Sequence, residues 1–571
     1  MTQSRMITAA LLVTALAGFF IWANGEPYGR IFWHLLSIHD LPAAELMIAV
    51  LLICFVITTR PSNRVTLVED LTLQFGRRQG AASVVLWLLL CIGSLWVYRN
   101  HTLSMDEYSA LFQARVFASG AMHAQMAPDL LDSVIPRGFQ NHFLMVNRAT
   151  GAVVSAYWPG FSLLLAPFVV LGVPWACNPT IAACSLLLIA KLAREVVGSS
   201  QGAGWAMLFT LASPVFIANG ISFYSMPAHL LFNTGFALLL INPTVPRLFL
   251  AGVVGGYALV LHNPLPHLAF ALPWLVWLAL RRDRRVSDLV WLGLGYIPVV
   301  TVLGVGWSVW MRHILDAGSI TAVTIPVAPS DSPSTIARVT TLAHGYLRFL
   351  HLPTLDTVVV RLAGLAKLWL WACPALLILA WRGGIQLRGS PAIALLGTSA
   401  LTTFLAYFFI SFDQGHGWGY RYFHSAWLVL PVLGAVGALR MIESSSQPRR
   451  MAAQLVLMSA IWLVVGNAQR MWQMHDFVSA HLAQVPPVPT HGRAIVFVRS
   501  GYYVKDLVQN QPDLSNRLLM FNSAGLRDDE VVARLQMPDG CKYSSTIHGW
   551  VWAAADAAST PDRTACSKVP G

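Results

Sequence analysis

Two adjacent carboxylates, Asp106 and Glu107, stand in the first long polar segment of this chain. Carboxylates accept protons and are hard oxygen ligands, so such a pair can act as a general base or hold a divalent cation such as magnesium or manganese. The pair belongs to Ser104-Met105-Asp106-Glu107-Tyr108, and apolar residues follow at Leu111, Phe112, Val116 and Phe117 before Gly120. Ser104 is thus the predicted N-cap of a short amphipathic helix. Carboxylates in a first helical turn also suit the helix macrodipole, so a purely structural reading stands beside the chemical one.

The second constellation is Asp413-Gln414-Gly415-His416-Gly417-Trp418-Gly419-Tyr420-Arg421-Tyr422. Its glycines allow close backbone approach, and the Arg421 fork, with His416 as a further donor and Tyr420 and Trp418 beside it, suits a phosphate. An aromatic belt with one snorkelling arginine is the alternative. Other candidates are weaker. His262 and His267 bracket Asn263-Pro264-Leu265-Pro266, which could contact a phosphate or a metal, or simply turn the chain. Lys367 is a charge inside an apolar stretch, a candidate by default unless it snorkels. A second carboxylate could come from Asp316, Asp331, Asp356 or Asp413, and spacing does not choose among them. Phosphate-loop, dinucleotide and zinc-binding patterns are absent from the sequence.

The elements that must position these residues are apolar. Of 571 residues 56% are hydrophobic and 11% charged, against about 25% charged in soluble domains, and that deficit excludes a soluble fold. Stretches long enough to cross a bilayer are expected at 6–24, 41–59, 83–98, 175–193, 202–219, 226–242, 247–262, 267–281, 288–311, 362–382, 391–411, 423–441 and 451–468. The first lacks a clear cleavage site and is read as retained. The net charge of +12 is read as topology rather than as a nucleic-acid footprint, because Lys and Arg punctuate the apolar runs. Arg60, Arg64, Arg77, Arg78, Lys191, Arg194, Arg281, Arg282, Arg284, Arg285, Arg449 and Arg450 gather on one side, which the positive-inside rule makes cytoplasmic. The N-terminus is then inside, and the long segments 99–174, 312–361 and 469–571 lie outside.

The expected architecture is therefore an all-α polytopic membrane protein with about thirteen spans and a small C-terminal α/β domain. It divides into an N-terminal hairpin and cytoplasmic loop (1–82), a transmembrane core (83–468) and an outer tail (469–571). In the tail, 494–498 and 517–521 read as buried strands and 527–535 as a helix. Cys541 and Cys566, the only cysteines there, are expected to pair. Tyr157-Trp158-Pro159-Gly160 opens a further apolar stretch, 161–172, too short for a crossing and read as interfacial.

The Asp106-Glu107 segment after a span, followed by Tyr157-Trp158-Pro159-Gly160-Phe161 before the next, resembles the GT-C superfamily of membrane glycosyltransferases. The resemblance is closer to the bacterial branch of protein O-mannosyltransferases and the lipid A aminoarabinose transferase. Gly417-Trp418-Gly419-Tyr420-Arg421-Tyr422 is similar to a Gly-Trp-Gly-x-Arg-Tyr segment in that branch. The resemblance implies a sugar donor on polyprenyl phosphate, inverting transfer at the outer face of a bacterial inner membrane, and an acceptor among envelope glycans, lipids or proteins. It makes Asp106 the base and gives Glu107 an orienting or metal-holding part; from the residues themselves, Arg421, His416 and Tyr420 are the candidates for the donor phosphate, and Tyr108, Tyr157, Trp158, Trp418, His262, His267 and Lys367 for the substrate pocket. The usual Pro-Pro of the second motif is Trp158-Pro159-Gly160 here, and the Trp-Trp-Asp-Tyr-Gly motif of oligosaccharyltransferases is missing. The alternatives from other classes are a transporter, flippase or ligase of lipid-linked saccharides and a non-catalytic scaffold. Transporters place polar groups near the midplane, whereas here ionisable residues concentrate at the outer ends of the spans.

Overall fold

The computed structural model describes residues 3–59, 66–280, 285–316, 350–385, 390–499, 501 and 503–554. The chain forms two compact units, one of Met1–Val97, Trp175–Val305 and Pro333–Gln473, the other of Tyr98–Pro174, Gly306–Ser332 and Met474–Gly571.

Among the described residues, six helices are long and apolar enough to cross a membrane: Ser4–Asn24, Ile31–Ile57, Gln79–Trp96, Val286–Asp316, Pro391–Phe409 and Pro448–Leu482. The pair Ser200–Leu211 and Pro214–Gly220, bent by 70°, is a broken span or a re-entrant loop, and makes a seventh if it is one span. Met226–Ile241, Val245–Leu259 and Leu265–Leu280 are apolar but shorter, as is Gly160–Val170 at the expected interfacial stretch. Sixteen residues, as in Met226–Ile241, rise only about 24 Å, less than a hydrocarbon core of about 30 Å.

Each expected span falls on a helix or on two, and besides the bent pair at 202–219 the sequence reading errs at three more. The stretch 362–382 is not one helix but Leu355–Leu370 and Leu376–Gly384, separated where Pro374 has no N–H to give and Ala375 turns left-handed at φ 62°. The stretch 423–441 divides into Arg421–His424 and Val429–Glu443. The stretch 451–468 belongs to a 35-residue helix, Pro448–Leu482, which runs on into what reads as tail. Polarity rises after residue 468 and marks a change of solvent, but no Gly or Pro follows to stop the helix before 482.

Within the first unit, Asp40, Lys367 and Arg470 are all buried. Lys367 Nζ lies 2.7 Å from Asp40 Oδ2, and an Arg470 terminal nitrogen lies 2.9 Å from Oδ1. Trp371 Nε1 donates to the same carboxylate at 2.6 Å, and Arg470 stacks over the Trp371 ring at 4.1 Å. Lys367 therefore neutralises Asp40 and does not stand alone in an apolar stretch.

The second unit holds two sheets. Strands β1 (Ala124–Gln125), β2 (Leu144–Val146) and β3 (Ala152–Ser155) pair antiparallel in the order β1-β3-β2. In the tail, β4 (Ala494–Val498), β5 (Leu518–Asn522), β6 (Gly540–Thr546) and β7 (Gly549–Ala554) form a sheet in the order β5-β4-β7-β6, with β4 and β5 parallel. The helix Leu526–Gln536 follows β5. Alternation sends Ile495, Phe497, Trp550 and Trp552 into a core with Tyr108, Phe112 and Val116. Ala494, Val496, Val498, Val551 and Ala553 face a second core with Val504, Leu507 and Val508. The two tail strands and the helix that the sequence suggests are thus present. Strands β6 and β7 were not foreseen, because β6 is polar and β7 is carried by two tryptophans. Cys541, on β6, is disulfide-bonded, and Cys566 lies outside the described residues.

Candidate active site

In the second unit, Ser104 occupies the N-cap position of the helix Met105–Ala118, as its sequence suggests, and its carbonyl accepts from Glu107 N at 3.1 Å and Tyr108 N at 3.0 Å. The two carboxylates of the pair then diverge. Glu107 is fully buried. Its Oε1 accepts from the Tyr98 hydroxyl at 2.9 Å and its Oε2 from Leu103 N at 2.7 Å, so it braces the turn that leads into the helix. Asp106 is half-buried, and its Oδ1 accepts from the Tyr157 hydroxyl. The fold thus brings together two residues selected from motifs far apart in sequence.

Ser155 N donates to Gln113 Oε1 at 3.0 Å, and Ser162 Oγ donates to Ala110 O at 3.0 Å. These bonds hold β3 and the helix Gly160–Val170 to the helix that carries Asp106. Trp158 is half-buried in the turn just before Gly160. Tyr108, proposed for the substrate pocket, is buried instead: its hydroxyl donates to Asn510 O at 2.6 Å and accepts from Asn510 N at 2.9 Å. Burial pushes that phenol up to about 12, so it stays protonated and keeps donating.

Sequence reasoning missed Asp506. This residue lies in the short helix Val504–Leu507, and its carboxyl accepts from the Met105 backbone N–H. Burial pushes it up to about 7, and the neighbouring charge of Asp106 adds to the rise. No local pattern marks Asp506, because its significance arises only from the return of the tail to the first loop.

In the first unit, the glycine-rich loop is folded around its own arginine. Gly415, Gly417 and Gly419 all have positive φ, at 63°, 133° and 65°. Arg421 N donates to Gln414 Oε1 at 2.9 Å, and an Arg421 terminal nitrogen donates to Gln414 O at 2.6 Å. The guanidinium lies over the Tyr224 ring at 4.4 Å, and the Tyr224 hydroxyl is 3.0 Å from His416 Nδ1. Trp418 packs on His416 and His39, with ring centroids 5.5 and 5.8 Å away. Tyr420 is buried against Gly364. Arg361, also missed, is buried beneath the loop and donates to the Tyr407, Ile410 and Phe412 carbonyls at 2.8, 2.7 and 2.9 Å.

The remaining candidates are dispersed. His267 is buried between Asn233 Oδ1, at 2.7 Å, and the Tyr296 hydroxyl. His262 contacts its neighbour Asn263 at 3.0 Å. Arg30 lies 3.7 Å from Asp413 and 3.9 Å from Asp356. Asp316 ends the helix Trp307–Asp316, and Asp331 lies outside the described residues. Among the described residues, no three His, Cys, Asp or Glu side chains converge in a way that could hold a metal.

No family model and no curated protein matches the chain. Among solved structures it is similar to ArnT from Cupriavidus metallidurans bound to undecaprenyl phosphate, with 12% identity, a TM-score of 0.52, and coverage of 85% of this chain and 98% of that one. The same protein in its apo state is also similar, at 12% identity and a TM-score of 0.47. The likeness to the first of these establishes the fold. It is a polytopic, mostly helical fold with a small C-terminal domain, shared with that ArnT structure.

Proposed function

We propose that this membrane protein is an inverting glycosyltransferase that moves a sugar from a polyprenyl-phosphate donor to an acceptor hydroxyl at the outer face of a bacterial cytoplasmic membrane. Asp106 takes the acceptor proton, the acceptor oxygen bonds to the anomeric carbon from the face opposite the phosphate, and the anomeric carbon–oxygen bond to polyprenyl phosphate breaks. That leaving group departs as a stable anion and needs no strong acid, only a fixed positive charge. Within the first unit Arg421 is the candidate phosphate-binding residue, since Gln414 and Tyr224 hold its guanidinium before any ligand arrives.

The observation that carries the reading is the setting of Asp106: a half-buried carboxylate in the first turn of a loop helix, oriented by Tyr157, in a chain that shares a fold with a protein crystallised with undecaprenyl phosphate. Glu107 acts from outside the reaction, by holding the Leu103 backbone N–H and the Tyr98 hydroxyl. The outward placement of the site rests on the distribution of basic residues, and the acceptor could be a glycan, a lipid or a protein of the envelope.

The test uses the purified full chain in lipid nanodiscs, with undecaprenyl-phosphate-linked glucose, galactose, mannose and aminoarabinose, and reads the release of undecaprenyl phosphate in the presence of envelope extract as acceptor source. One donor is expected to turn over, and Asp106→Asn is expected to slow it by about 100-fold or more, the usual contribution of a general base. Wild-type turnover by Asp106→Asn would remove Asp106 from the role, and release from none of the donors would remove the enzyme reading.

A further inference from the structure

We propose that the turn Asp506–Asn510 of the C-terminal domain is the template on which Asp106 is set, with Asp506 as a positioning residue for the transfer. The inference rests on the reading of Asp106 as the base. It assigns the tail a part in the reaction beyond covering a surface.

The bonds bracket Asp106 along the chain. Upstream, the Thr102 hydroxyl donates to Gln509 Oε1, while Gln509 Nε2 donates to Thr102 O at 2.6 Å and to Asp506 O at 2.7 Å. Immediately before Asp106, the Met105 N–H donates to the Asp506 carboxyl. Downstream, the Tyr108 hydroxyl exchanges two bonds with the backbone of Asn510, at 2.6 and 2.9 Å. The template is itself fixed to β5, because Asn510 Nδ2 donates to Met520 O at 2.8 Å and Met520 N donates to Asn510 Oδ1 at 2.9 Å.

The physical need is clear at the helix start. The first N–H groups of any helix have no partner within it, and capping normally comes from a nearby side chain. Met105 is the first residue of its helix and receives its acceptor from the tail instead. A carboxylate there costs more than an amide would, since it lies beside the charge of Asp106. The gain is placement, because misplacing a catalytic group by about 1 Å can cost about 100-fold in rate.

The experiment compares Asp506→Ala, Asp506→Asn and Gln509→Ala in the full chain. Hydrogen–deuterium exchange is followed over residues 103–108 and over the tail sheet, and kcat and donor KM are measured with whichever undecaprenyl-phosphate sugar turns over. Asn keeps an oxygen for the Met105 N–H, and Ala does not. In Asp506→Ala, exchange over 103–108 is expected to quicken by about tenfold or more while the sheet stays protected, and kcat to fall by about tenfold or more at an unchanged donor KM. Asp506→Asn is expected to recover most of that loss. Gln509→Ala, which leaves the bonds to β5 intact, is expected to move exchange and kcat in the same direction as Asp506→Ala. Unchanged exchange in both alanine variants, or equal damage from Ala and Asn at 506, would overturn the proposal. If no donor turns over, the reading of Asp106 as a transferase base falls, while the exchange result still decides whether the tail sets this turn.

Discussion

Asp106, Glu107 and Asp506 are three carboxyls of one small region with three different surroundings. Glu107 is enclosed by donors, Asp106 meets the Tyr157 hydroxyl, and Asp506 is pushed up to about 7 by burial, with the charge of Asp106 adding to the rise. The sign of the consequence for stability follows from linkage. The folded protein binds the Asp506 proton more tightly than the unfolded chain does, so this contribution is complete below about pH 4 and is lost as pH rises through about 7. Asp506→Asn carries no charge at any of these values. Between about pH 5 and 8 its thermal midpoint, relative to wild type, is therefore expected to rise with pH. Midpoint curves that run parallel across that range would show that Asp506 does not titrate there.

At the scale of elements, two short segments do the positioning. The helix Met105–Ala118 holds the carboxylates, and its start at Ser104 and its close near Gly120 follow from local signals, a good N-cap residue and a glycine with φ 79°. The loop before Arg421 depends on its glycines unequally. A methyl group on Gly417 would stand 2.3 Å from Arg421 Cδ at a φ of 133°, whereas one on Gly415 meets nothing within 4 Å, at a φ of 63°. Gly417→Ala is therefore expected to cost about 1 to 3 kcal/mol and to displace the guanidinium from Tyr224. Gly415→Ala pays only the backbone penalty, about 1 to 2 kcal/mol. Donor turnover and thermal midpoint, measured on both, should fall further for Gly417→Ala, and the reverse order would mean that Arg421 is not held by this loop.

At the scale of the whole molecule, the first unit is tied together by charge as well as by apolar packing. Asp40, Lys367 and Arg470 come from three separate helices and meet with no water-exposed surface of consequence. Asp40→Asn leaves two buried cations without their counter-charge, while Lys367→Met leaves the Asp40–Arg470 pair intact. Breaking such a pair costs about 3 to 5 kcal/mol, so Asp40→Asn is expected to lower the thermal midpoint more than Lys367→Met. The double variant should recover part of the loss of Asp40→Asn, because it removes one of the stranded cations. Strictly additive effects in unfolding of the detergent-solubilised protein would rule out the coupling.

The amino-acid sequence by itself determined that the chain is apolar and polytopic, where most helices lie, and that Asp106 begins one of them, because hydropathy, capping and turn chemistry act over a few residues. It also carried the likeness to GT-C transferases, in the short motifs around Asp106, Trp158 and Arg421. Lys367 read as an isolated intramembrane charge, since its partners lie hundreds of positions away; by the same token Asp40, at the edge of an expected span, showed no sign of being one. Nor could any local pattern show that Tyr157 orients Asp106, or that Asp506, Gln509 and Asn510 return from the tail to grip the turn around it. Those contacts join residues whose proximity depends on every element folded between them, and only the tertiary structure decided them.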